Sequence, residues 1–556
     1  MRLDRIPFRT GPAILTPVAA NPCADTFTLG HRRLDSQTRS DRIWQLLKEG
    51  IAIPAPAVSL IPLDDRPCNR LFPQQLAAVA GCEVSLPPRQ CLGWFTQPGD
   101  CDAIAAWVRD LKTERLVVSL DMLCYGGLVA SRALKTDLPH ALERLAALRH
   151  LRQSQPEAAI FGFNTIMRLG TTVTRAAELE DHLLLRAYSQ LMDRVERLGD
   201  QEARAELAAV GEKLDPALLS DYLSVRRRNH TVNRAAIELL AEGVLDYLVL
   251  AQEDAAPIGI HIPEQMALRG QIEEFRLADR VSLCTGADEI GLVLLARQLV
   301  QAAGKPVSVS VDYAAAAGAE VIPEFEAQPL RQTVEDHISA AGVSTGAPGT
   351  ADALLFVHTP IGAQLDIFEA PAAGHSPALA LQADSVAERV KAAAEAGCLV
   401  GLADVAYCNG ADPELISALQ RANALAGLRA FAGWNTAANT TGTALTQLCL
   451  TAIAKEPNRR AAREFVLARF LDDYCYQSCV RRKALEQAQA MGADPFHLGP
   501  VADELEPFIQ AGLSPLAHGF YSALLGAGAG PPPPEVRASL PWRRLFEVEV
   551  EVVAPG

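Results

Sequence analysis

Two pairs of adjacent carboxylates, Glu253-Asp254 and Asp288-Glu289, follow the apolar runs YLVLAQ and VSLCTGA. Acids placed this way suit glycosidic cleavage, in which one carboxyl protonates the leaving oxygen and the other acts as nucleophile or base. Successive side chains on a strand point to opposite faces, so only one member of each pair can face a pocket squarely. The other can tune its neighbour's pKa or bind a substrate hydroxyl. Both pairs also have a structural reading. Asp254 suits a helix cap or a loop ion pair, and Asp288-Glu289 suits a cap and dipole partner for the helix that follows.

Other apolar runs end in binding chemistry. VSLIPL leads into Asp64-Asp65-Arg66-Pro67, where the proline holds Arg66 extended and a fixed guanidinium can read carboxylate or hydroxyl groups. LVVSL leads into Asp121, and Tyr125-Gly126-Gly127 lets backbone approach a ligand closely. IFGF leads into Asn164 and Arg168, and Arg228, Asn229 and Asn233 extend the donor set. Within Arg226-Arg227-Arg228 two of the three are expected to be solvated. LVGLA leads into Asp404, followed by the turn signal Asn409-Gly410-Ala411-Asp412. LRAFAG leads into Trp434-Asn435-Thr436 with Asn439, and an indole among amides is what a sugar subsite uses, unless this Trp anchors a core.

Several classes are disfavoured. There is no HExxH and no CxxC, so zinc has little support and no metal site is assigned. His230, His261 and His358 show no ligand spacing. A phosphate-binding GxxxxGK[ST] loop and a helix-opening GxGxxG are missing, against nucleotide and dinucleotide chemistry. With a net charge of -15 and no basic run carrying aromatics, no nucleic-acid partner is expected. No run reaches spanning length, and the N-terminus lacks a secretory core, so no membrane partner and a cytoplasmic location are expected. The twelve cysteines read mostly as small buried hydrophobes.

The elements that position these residues alternate. Short β-branched runs near 58–63, 83–86, 116–121, 159–164, 247–252, 281–285, 307–312, 354–358, 398–403 and 429–433 are separated by amphipathic stretches, the pattern of a mainly parallel α/β sheet. Setting aside 305–380 as an α/β insertion leaves eight strands, which favours a (β/α)8-like barrel, with an open doubly wound sheet as the alternative. The expected organisation is an extension at 1–52, the α/β catalytic domain at 53–440 and a helical region at 441–530. A Pro-rich connector and terminal strand then fill 531–556. No internal repeat is seen.

The phrases IPLDDRPCN, LPPRQCLG, SLDMLCYGGLVASR, RRRNHTVN, QEDAAPIG, GADEIG, VAYCNGAD, GWNTAANTTGTAL and LPWRRLFEVEV occur in order over roughly 57 to 552. In them the chain resembles the bacterial domain-of-unknown-function 4127 family, which implies one architectural unit and no particular reaction. The family's usual Asp-Asp pair is Glu253-Asp254 here, a change that adds a methylene and favours Asp254 as the reacting group.

The leading expectation is a carbohydrate-active hydrolase with Asp254 and either Asp288 or Glu289 as its carboxyls, using no cofactor. One alternative is a Mg- or Mn-dependent enzyme of a small polar or phosphorylated metabolite, with Asp64, Asp121 and Asp254 as oxygen ligands. Another is a sugar- or metabolite-binding protein without activity.

Overall fold

The computed structural model describes residues 57–553, except 371–375, 456 and 526–534. The expected extension at 1–52 and the tetra-proline connector lie outside the described residues. The described residues belong to one compact unit.

Six strands are β1 (Ala57–Ile61), β2 (Glu83–Ser85), β3 (Arg115–Ser119), β4 (Ala159–Ile166), β5 (Tyr247–Gln252) and β6 (Val281–Thr285). Five more are β7 (Ser308–Tyr313), β8 (Ser344–Thr345), β9 (Ala353–His358), β11 (Val400–Asp404) and β13 (Leu428–Ala432), with β10 (Leu365–Asp366) and β12 (Tyr407–Cys408) forming a small ribbon. The first six form a parallel sheet in the order β2-β1-β3-β4-β5-β6, and the next five form a second in the order β13-β11-β9-β7-β8. The central strands β3, β5 and β11 are buried along their whole length, which is why they read as continuous apolar runs rather than as alternation.

The α/β class and the parallel strands are as expected, but the strands do not close into a barrel. Barrel closure would join β2 to β6, and both are edges of the first sheet. The segment expected as an insertion supplies β7, β8 and β9 to the second sheet, where β9 pairs with β11. Each sheet is doubly wound: the chain steps to one side of its first strand, returns to the other, and continues outward. Both sheets therefore carry the strand order 2-1-3-4-5, with β6 added to the first. The repeat is topological, since the sequence shows none.

The helices Ile290–Ala303 and Ala437–Ile453 lie between the sheets and are buried on nearly every side. One core runs from Phe163 and Val249 of the first sheet through Leu292 and Leu448 to Val309 and Leu355 of the second. Gly401 permits the close approach, because a Cβ there would stand 2.7 Å from a Leu448 methyl. The chain continues through helix Arg459–Arg469, an eleven-residue π-helix Phe470–Val480, and helices Arg481–Ala490 and Val501–Leu525. The alternating run before the C-terminus forms β15 (Glu549–Val553), which pairs antiparallel with β14 (Glu535–Ser539). No helix among the described residues is long and apolar enough to cross a membrane.

Candidate active site

In doubly wound folds, ligands bind beyond the carboxyl ends of the strands. Here the loops leaving β1, β4, β5 and β6 meet those leaving β12 and β13 around a cavity of about 970 Å³, and segments 324–326, 363–369 and 542–546 complete its wall.

Arg66 sits at the first switch point, where the chain leaves β1. Its Nε donates to both oxygens of Asp64 at 3.1 and 3.0 Å, and its Nη1 donates to Asp288 Oδ2 at 3.0 Å. Asn69 bonds Asp64 at 2.9 Å, and Asn435 bonds Asp288 at 3.1 Å. Burial pushes the Asp288 carboxyl up to about 6 against the pull of Arg66, with the charge of Asp64 adding to the rise. Asp65 turns away from this cluster and accepts from Trp542 Nε1 at 2.6 Å. Its own carboxyl is raised to about 6 by burial, which the Trp542 hydrogen bond only partly offsets.

The second acidic pair divides in the same way. Glu253 is buried against Arg132, while Asp254 pairs with Arg168 and keeps 25% of its side chain exposed. Arg132 Nη1 also donates to Thr172 Oγ1 at 2.7 Å. Both acids line the cavity, and Asp254 is the more exposed of the two.

Glu289 faces inward from the turn after β6. Its Oε1 lies 3.1 Å from His337 Nε2, and its Oε2 accepts from the Ala287 amide at 3.3 Å. The turn needs Gly286, which has φ +118 and whose Cβ would fall 1.6 Å from Glu289 Oε1. Burial opposes the charge on His337, but the hydrogen bond and charge of Glu289, with the charge of Glu326, raise its pKa. Glu326 is pushed up to about 7 by burial, although Thr333 and the Ala438 amide donate to it at 2.8 and 2.7 Å.

Asn409, Asn435 and Asn439 also line the cavity. Asn409 (φ 62) and Asn435 (φ 67) occupy the left-handed conformation that asparagine tolerates, and Asn439 Nδ2 is buried without a partner among the described residues.

The remaining sequence candidates do not line the cavity. Asp121 accepts from the Thr165 amide and hydroxyl, each at 2.8 Å, and burial raises it to about 6. Asn164 bonds Asn233 at 2.7 Å, while Arg228 and Asn229 hold the carbonyl of Ser131 at 2.5 and 2.9 Å. Tyr125 lies under the Arg228 guanidinium at 4.3 Å. This donor-rich set ties strand ends to the helix Pro216–Ala241, away from the cavity. The basic triplet is a correction: Arg226 and Arg228 are buried and only Arg227 is exposed, because Arg226 pairs with Glu264 and Arg228 holds loop carbonyls. Asp404 accepts from the Asp412 amide at 2.7 Å, and Asp412 caps the helix Pro413–Ala422 while bonding His358 at 2.9 Å. Trp434 is a core residue, 4% exposed and packed on Phe546.

Asp64 and Asp121 thus spend their oxygens on Arg66 and Thr165. Among the described residues no group of three or more His, Cys, Asp or Glu side chains converges as a metal site. Residue types alone missed Arg132, Glu326, His337, Arg481, Trp542 and Arg544. The only signal for Arg132, Trp542 and Arg544 was their place in the phrases SLDMLCYGGLVASR and LPWRRLFEVEV. His337 and Glu326 lie in a stretch with no motif.

A family model described as a protein of unknown function, DUF4127, matches residues 58–551, nearly the whole chain. The chain belongs to that family. Neither a curated protein nor a solved structure matches it. The matched span covers both sheets and the C-terminal ribbon, so the DUF4127 unit includes all the loops that meet at the cavity.

Proposed function

We propose that this DUF4127 protein is a carbohydrate-active hydrolase, acting in the cytoplasm without a cofactor. The observation that carries the reading is that two carboxylates of one cavity wall stand in unlike surroundings. Asp254 is part-exposed and paired with Arg168, whereas Asp288 is 8% exposed and raised to about 6. Acid–base catalysis at neutral pH uses such a division between two carboxyls of one pocket. The wall also suits a sugar, because Phe325, Trp542 and Phe546 supply apolar surface and Asn409, Asn435 and Asn439 supply amides for hydroxyls. Carboxylates outnumber guanidiniums in it, which favours a polyhydroxylated substrate over a phosphorylated one.

The test is hydrolysis of a panel of nitrophenyl glycosides by the wild type, D254N and D288N. Turnover that D254N abolishes, with D288N shifting the pH profile, supports the reading. Turnover equal in all three overturns the assignment, and stabilisation by sugars without turnover points to a binding protein.

A further inference from the structure

Four of the five arginines lining the cavity are matched by a carboxylate: Arg66 by Asp64 and Asp288, Arg132 by Glu253, Arg168 by Asp254, and Arg544 by Glu547. Arg481 is the exception. Among the described residues it forms no ion pair within 4.0 Å, and its one hydrogen bond runs from Nη1 to Gln477 Oε1 at 3.0 Å. The guanidinium is nonetheless built into place. It stacks on Phe368 at 4.8 Å and on Phe546 at 5.2 Å, and Gln477 is itself anchored on Asp472 at 3.2 Å and on the Phe546 carbonyl at 3.1 Å. Arg482 secures the Phe368 carbonyl at 2.6 Å. Arg544 flanks the same Phe546 ring at 5.4 Å, so a second cation stands nearby. The nearby acid Asp366 is committed elsewhere, accepting from Asn409 at 2.6 Å and from the Phe368 amide at 2.8 Å.

A half-buried, rigidly stacked guanidinium with no ion pair of its own, whose neighbouring acids Asp366 and Glu547 are held by other donors, has room for an added anion. Its planar fork matches a carboxylate. We propose that Arg481 is the subsite for a substrate carboxylate, which makes the substrate an acidic sugar of the uronate class. The inference rests on the carbohydrate reading for the sugar, and on Arg481 alone for the anion. Burial, which lowers the pKa of Arg481, accords with an anion arriving with the ligand.

The test measures thermal shifts of the full chain with glucuronate, galacturonate, the parent neutral sugars and acetate, in wild type, R481Q and R481K. A shift with uronate but not with neutral sugar supports the subsite if R481Q weakens uronate binding at least roughly tenfold, the scale of a lost charge-assisted contact, and R481K restores it only in part. Uronate binding unchanged in R481Q overturns it. Equal shifts by neutral and acidic sugars, insensitive to R481Q, overturn the subsite and leave the carbohydrate reading standing. Stabilisation by acetate alone, lost in R481Q, keeps the anion subsite and retires the sugar. Because Arg481 carries no ion pair, unliganded R481Q should melt within a few degrees of wild type. A collapse of its melting temperature would show that the residue is structural and overturn the proposal.

Discussion

Arg66 and Asp288, 222 residues apart in sequence, form a buried ion pair with Nη1 to Oδ2 at 3.0 Å, and the same guanidinium holds Asp64. The pair joins the loop after β1 to the loop after β6, and it fixes one wall of the cavity.

Removing that cation strands two buried carboxylates. Arg66→Met is expected to cost about 3–5 kcal/mol of stability, the usual penalty for breaking one side of a buried pair. Urea unfolding of wild type and variant measures it, and a loss below about 1 kcal/mol would mean that solvent reaches the cluster.

Trp542 donates to Asp65 at 2.6 Å while stacking on Arg66 at 4.8 Å. Trp542→Phe keeps the ring and removes the donor, so a loss of about 1.5–3 kcal/mol is expected, the range for a hydrogen bond to a charged group. The Asp65 carboxyl should rise further, because the indole bond is what lowers it. Carboxyl titration by NMR checks this second outcome.

Gly286→Ala forces a Cβ into the space of Glu289 Oε1 at a φ of +118. A destabilisation of about 1–3 kcal/mol is expected from the strained backbone. If Glu289 is needed in place, activity should fall more in this variant than in Gly243→Ala, where φ is +76 and a Cβ meets nothing within 4 Å. Comparing turnover in the two variants tests this.

Stability should depend on pH in an unusual direction. Asp65, Asp121 and Asp288 are raised to about 6, and Glu326, Asp404 and Asp473 to about 7, chiefly by burial. For an acid whose folded pKa is raised, stability is fully present below the unfolded value near 4 and is lost as pH rises through the folded value. Denaturation midpoints should therefore be higher near pH 5 than near pH 8. A midpoint that climbs steadily to pH 8 would mean that these carboxyls are ionised in the native protein at little cost.

For the proposed reaction, Asp254→Asn should lower kcat about 10²- to 10⁴-fold, the typical contribution of a general acid or base, with little change in Tm because the side chain is part-exposed. Kinetics on whichever glycoside the wild type hydrolyses would decide it.

The sequence by itself determined the strands, because a strand buried on both faces must be a short apolar run, and β1, β3, β4, β5, β6, β9, β11 and β13 were all read that way. It also determined which loops meet at the cavity, since in parallel sheets the polar residues after such runs collect at one edge: Arg66, Arg168, Glu253, Asp254, Asp288, Glu289, Asn409, Asn435 and Asn439 all line it. Tertiary structure alone decided the rest. Strand pairing is a long-range choice, and eight apolar runs look alike whether they close a barrel or split between two open sheets. The partner of a charge is equally invisible along the chain: Asp121, Asn233 and Arg228 have the residue types of a binding site but are consumed by Thr165, Asn164 and loop carbonyls. Trp434 and Trp542 make the point for apolar surface, the first closing a core and the second reaching the cavity from the far end of the chain. Whether a side chain is free for substrate depends on which distant groups already hold it, and only the folded chain brings those groups together.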